Sequence, residues 1–179
     1  MTGVCSDGTD IYIAGASAMN AASGAENYSG KLNRPFIWRV SAENGAMKLY
    51  SKDQDKQPMF GEYKEAKGVD VVSDIEFSDG MLYITAPAQD SVFVADAASG
   101  KLLDTWKIPQ ASGIAFKHKV SCFVGSGQKI LSVTPADGKT ANFADAKGVV
   151  RDITMLPDGK IAASVGGPRH QLVFFDQYG

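Results

Sequence analysis

The sequence predicts an all-β fold built from about four repeated units, each of four short antiparallel strands. Three observations predict it. Short runs rich in Val, Ile, Phe and Tyr alternate with clusters of Gly, Asp, Asn and Ser. No stretch carries the periodicity of an amphipathic helix. One pattern of strands and turns recurs at a spacing of roughly forty residues.

In the first unit Asp7-Gly8 turns the chain into a strand at residues 10–14, residues 35–40 form another, and Glu43-Asn44-Gly45 turns into residues 47–50. Asp, Asn and Gly mark these turns because they tolerate left-handed backbone. The second unit is the clearest. Strand A, Val72-Ser73-Asp74-Ile75-Glu76-Phe77, turns at Ser78-Asp79-Gly80 into strand B, Met81-Leu82-Tyr83-Ile84-Thr85. Strand C follows at residues 91–96, and Ala98-Ser99-Gly100 turns into strand D at 101–106. The third unit repeats A at 113–116, B at 120–124 and C at 129–133, with Asp137-Gly138-Lys139 leading into D. The fourth has A at 152–156, the turn Pro157-Asp158-Gly159, B at 160–164 and C at 171–175.

The ends differ from the middle. Too few residues precede Val4 for a full strand A, and the chain stops at Asp176-Gln177-Tyr178-Gly179, where other units turn from C to D. A missing outer strand exposes a sheet edge. The expectation is a fragment of a larger array, completed by strand exchange, another copy or flanking blades.

A unit of four short strands cannot bury both faces alone and must stack on its neighbours, which indicates a β-propeller. The blades are read at 1–56, 67–108, 109–146 and 147–179, with 57–66 inside an inserted loop. The run from Ser73 to Thr85, followed by Val92-Phe93-Val94-Ala95-Asp96-Ala97-Ala98-Ser99-Gly100-Lys101-Leu102, resembles the repeats of YVTN-type, NHL-type and PQQ-like β-propellers. The resemblance covers residues from about 67 to the end and implies architecture. Those families include sugar-lactone hydrolases, quinoprotein dehydrogenases and non-enzymatic binding modules. The tryptophan-docking motifs of quinoproteins and the full acidic metal set of lactonases do not map onto positions of this sequence.

Composition narrows the function classes. The 179 residues are 44% hydrophobic and 21% charged, with a net charge of −2 spread along the chain, so nucleic acid is not an expected partner. No apolar run is long enough to cross a membrane as a helix. Cys5 and Cys122 lack zinc-binding or haem-attachment spacing and read as small apolar side chains, and no cofactor or metal is expected. The composition and the resemblance together point to an extracytoplasmic setting, periplasmic or secreted.

In a propeller the D-to-A and B-to-C connections emerge at one end of the central channel, here called the top. Two long insertions, residues 16–33 and 51–71, belong to that end; loops of such length are uncommon without a reason, here either binding of a ligand or partner or padding of an exposed rim or a contact with another domain. Asn27 and Tyr28 in the first offer hydrogen bonds to a polar ligand. The alternating charges of the second read as solvated surface. Aligned strands A bring Ser73-Asp74, Ser112-Gly113 and Arg151-Asp152 together at the channel mouth. Asp74, Asp152 and Arg151 are candidates to bind a cation, to hold an acidic ligand, or to pair internally as Arg–Asp bridges between blades. The B-to-C loops add Gln89, Asp90, Gln128, Arg169 and His170, with His170 the candidate general base, while His118 lies at the opposite end. No nucleophile elbow or metalloprotease motif is present. The functional expectation is a non-catalytic module that binds a protein or polar ligand through its top face. The alternative is the partial catalytic domain of a lactonase-like hydrolase or a quinoprotein-like oxidoreductase.

Overall fold

The computed structural model describes residues 3–16, 35–49, 72–176 and 179. The described residues form four antiparallel sheets. Blade one holds β1 (Gly3–Ser6), β2 (Asp10–Ala16), β3 (Pro35–Ser41) and β4 (Met47–Leu49). Blade two holds β5 (Asp74–Ser78), β6 (Met81–Ala86), β7 (Ser91–Asp96) and β8 (Leu102–Lys107). Blade three holds β9 (Ala111–His118), β10 (Ser121–Ser126), β11 (Lys129–Thr134) and β12 (Lys139–Asp145). Blade four has three strands among the described residues, β13 (Val149–Met155), β14 (Ile161–Gly166) and β15 (Gln171–Phe175). Among the described residues the helical content is a single 3₁₀ turn at Pro87–Gln89.

Each sheet is a simple meander in which consecutive strands pair. The two-residue turn between β5 and β6 shows why. Ser78 pairs with Met81, and both intervening residues, Asp79 and Gly80, have positive φ (51° and 79°). That is the turn geometry whose twist matches antiparallel strands. The inner strands pack in sequence, β1 on β5, β5 on β9 and β9 on β13, so the blades stand around one axis. The first unit does form an inner strand, although the sequence offered few residues for it. Four suffice to pair Gly3 with Ala14 through Ser6 with Ile11.

Period-two alternation gives every blade two apolar faces, and among the described residues stacking buries the faces that neighbouring blades turn to each other as three cores. Tyr12, Ala14 and Ile37 of blade one meet Ile75, Leu82, Ile84 and Phe93 of blade two. The opposite face of blade two, with Tyr83, Val92, Val94 and Trp106, meets Ile114, Cys122, Val124 and Val133 of blade three. Phe123, Ile130 and Ala144 of blade three meet Val150, Ile153, Ile161 and Val165 of blade four. Aromatic contacts tighten the middle interface, where the Tyr83 ring lies 5.2 Å from Trp106 and 4.7 Å from Phe116. Both thiols are free. Burial pushes the Cys122 thiol up to about 12, and burial followed by nearby Glu76 and Asp74 raises that of Cys5, so each behaves as a small apolar group.

Candidate functional site

The two ends of the array use their polar side chains differently. At the bottom, where A-to-B and C-to-D turns lie, aspartates are spent on the turns themselves. Asp7 accepts the amides of Thr9 and Asp10 and the Tyr12 hydroxyl. Asp96 holds Ser99, Asp137 pairs with Lys139, and Asp158 pairs with Lys160. Asp79 reaches Lys119 on the next blade. These are self-contained Asx turns and exposed ion pairs.

At the top, the B-to-C loops and D-to-A connections tie to one another through backbone groups. Asp90 accepts the Gln110 amide at 2.7 Å, and its carbonyl accepts that of Ile108. The Gln128 carbonyl accepts the Ala146 amide and the Gly127 carbonyl that of Val150. Ser126 donates to the Pro109 carbonyl. This lacing fixes the loop positions, so Asp90 serves the scaffold while the Gln128 side chain stays exposed. Gln89 is half-buried, and its Nε2 has no hydrogen-bond partner among the described residues.

Asp74 also serves the scaffold. One carboxylate oxygen accepts the Ile75 amide at 2.8 Å and the other accepts the Ile114 amide of the next blade at 3.0 Å. Burial raises its pKa to about 7, opposed by the Ile114 hydrogen bond and reinforced by the charges of Asp152 and Glu76. Asp152 accepts the Ile153 amide at 2.8 Å and is exposed. The expected Arg–Asp bridges between blades are absent among the described residues. The reason is a β-bulge: Val150 pairs with Val165 and Asp152 with Ser164, which leaves Arg151 as the extra residue, exposed and turned over Gly166. Backbone amides do for Asp74 what a guanidinium was expected to do.

Arg169 and His170, in the loop from β14 to β15, are exposed and without a side-chain partner among the described residues. The structure therefore brings Asp74, Gln89, Asp90, Gln128, Arg151, Asp152, Arg169 and His170 to one end. Asn27, Tyr28 and the two long insertions, apart from Ala16 at the end of β2, lie outside the described residues. Sequence reasoning missed Glu76, two residues beyond Asp74 on the same strand face, whose pKa is raised by burial. Strand alternation from Asp74 was the available signal. No group of three or more His, Cys, Asp or Glu among the described residues is placed to hold a metal ion. A groove of about 620 Å³ runs between β12 and β15, lined by Phe143, Val173 and Phe175 among others, and reaches the top end at Ala146, Lys147 and Gln171.

No protein-family model matches the sequence, and no curated protein matches it. Solved structures do. The chain is similar to the computationally designed Ika4 protein, at 12% identity and a TM-score of 0.62, over 98% of this chain and 89% of that one. It is similar to a chain of hydrazine synthase from Kuenenia stuttgartiensis, at 16% identity and a TM-score of 0.64, over 98% and 45%. It is also similar to a chain of a mitotic checkpoint complex, at 13% identity and a TM-score of 0.64, over 98% and 46%. The chain thus spans about half the length of the two natural chains. At these identities the likeness is one of fold, and with the four radial sheets it defines a β-propeller array.

Proposed function

We propose that this chain is a non-catalytic β-propeller module that binds a protein or polar ligand through its top end. The supporting observation is the contrast between the ends: the bottom aspartates Asp7, Asp96, Asp137 and Asp158 are consumed by turns, whereas Arg151, Arg169, His170 and Gln128 are exposed at the top without side-chain partners among the described residues. Two guanidiniums and an imidazole on blade four suit a ligand that presents carboxylates. Asp74 and Asp90 hold the loops in place, Asp152 adjoins Arg151 on β13, Gln89 adds an amide from the loop of blade two, and Asn27 and Tyr28 belong to the insertion assigned to the same end. A neighbour in fold that belongs to a mitotic checkpoint complex is in keeping with a protein partner. The resemblance of the repeats favours the YVTN, NHL or PQQ-like type and an extracytoplasmic setting.

The test is an array of acidic, neutral and basic peptides probed with the purified chain. Acidic peptides are expected to be retained, and Arg151→Ala combined with Arg169→Ala is expected to weaken them by roughly tenfold or more. Asp137→Ala, at the bottom, is expected to leave retention unchanged. Equal retention of all three classes, or no loss in the double variant, would remove the proposal.

A further inference from the structure

The inner strands alternate between two kinds. Blades one and three carry glycine beside a small residue, Gly3 opposite Ala14 and Gly113 beside Gly125. Blades two and four carry aspartate opposite a hydroxyl, Asp74 opposite Thr85 and Asp152 opposite Ser164. The glycines let neighbouring backbones approach. A Cβ on Gly3 would lie 2.9 Å from the Asp74 Cα, and one on Gly113 would lie 2.7 Å from the Asp152 Cα. Across the interface of blades two and three, Asp74 accepts the Ile114 amide and Thr85 donates to the Ser112 carbonyl. Gly113 thus sits between two aspartates, with its neighbouring amide bound by the first.

Blade four repeats the equipment of blade two. Asp152 caps the Ile153 amide as Asp74 caps that of Ile75. Its second oxygen and the Ser164 hydroxyl, the counterparts of the groups that reach from blade two to blade three, have no partner among the described residues. The matching receptor stands at the other end of the chain. Gly3 is followed by Val4, which pairs with Ile13 as Ile114 pairs with Val124.

The flanking faces agree. On blade four Leu172 and Phe174 are 63% and 56% exposed at the positions where Val92 and Val94 of blade two are buried by blade three. On blade one Val4 and Met47 are 56% and 62% exposed, on the sheet face they share with Ile13, Trp38 and Val40. Apolar faces of this kind mark a contact surface.

We propose that two copies of this chain pack head to tail, blade four of each against blade one of the other, and close an eight-bladed ring. Asp152 then accepts the Val4 amide of the second copy as Asp74 accepts that of Ile114, and the glycine–aspartate alternation runs unbroken around the axis. Each interface is heterologous, and rotation by half a turn closes it. The proposal rests on the blade faces and is independent of the ligand assigned to the top end.

Sedimentation equilibrium of the 179-residue chain is expected to give about twice its 19.0 kDa mass. A monomer at all concentrations, or an open-ended polymer, overturns the proposal. Val4→Lys blocks the head, and Leu172→Lys with Phe174→Lys blocks the tail. These side chains are exposed in one copy, so each variant is expected to keep the parent's β-sheet circular dichroism and to lose the dimer by roughly a hundredfold in affinity, with a melting temperature that no longer rises with concentration. Mixing the head-blocked and tail-blocked chains leaves one intact interface and is expected to restore a two-chain complex. A variant that still dimerises alone, or a mixture that stays monomeric, overturns the head-to-tail arrangement. Asp152→Asn, which keeps shape and removes charge, is the check should a lysine variant unfold: unchanged dimerisation with it removes the assigned Asp152 contact.

Discussion

Asp74 gives the molecule a pH dependence with a definite sign. Burial lifts its pKa from an ordinary 3.8 to about 7, so between those values the folded chain holds a proton that the unfolded chain releases. The stability it contributes is fully present below about pH 4 and is lost as pH rises through 7. Glu76, raised by burial as well, acts in the same direction. The melting temperature is therefore expected to fall from pH 5 to pH 8, and Asp74→Asn is expected to flatten that slope. A slope unchanged in the variant would show that another group carries the dependence. Asp74→Ala removes the acceptor for two amides and is expected to cost about 1–3 kcal/mol. Arg151→Ala, on an exposed residue without a side-chain partner among the described residues, is expected to change stability by no more than about 0.5 kcal/mol. Urea unfolding separates these two outcomes.

The strands were legible wherever apolar and polar residues alternate between turn residues, as from β5 to β8, where Ser78-Asp79-Gly80 marked the turn between β5 and β6. The bulge in β13 also left a trace. Val150 and Ile153 are both buried against blade three although they are three residues apart, a spacing that regular alternation forbids. That trace could have removed Arg151 from the expected bridges. The closeness of neighbouring inner strands was not legible, because Gly113 meets Asp152 across two blades and glycine reads locally as a turn or break. Gly113→Ala sets a methyl group against that backbone and is expected to destabilise the chain by about 1–3 kcal/mol. Denaturant titration checks it, and a neutral result would mean that the blades stand further apart than described.

At the scale of the whole molecule the repeat period gave the architecture, since units that cannot bury their faces alone must stack. The division of labour between the ends was only half legible. Sequence placed the loops at one mouth, but it could not show which carboxylates the turns and amides would consume, because those contacts join residues as distant as Asp74 and Ile114. The central claim is that the top end is the working surface. Backbone amide shifts followed by NMR, as an acidic peptide is added to the labelled chain, test it most directly. Movement is expected at residues 89–90, 110, 127–128, 147–152 and 167–170, with residues 79–80, 97–100, 137–139 and 158–160 still. Movement confined to the second set would contradict the account.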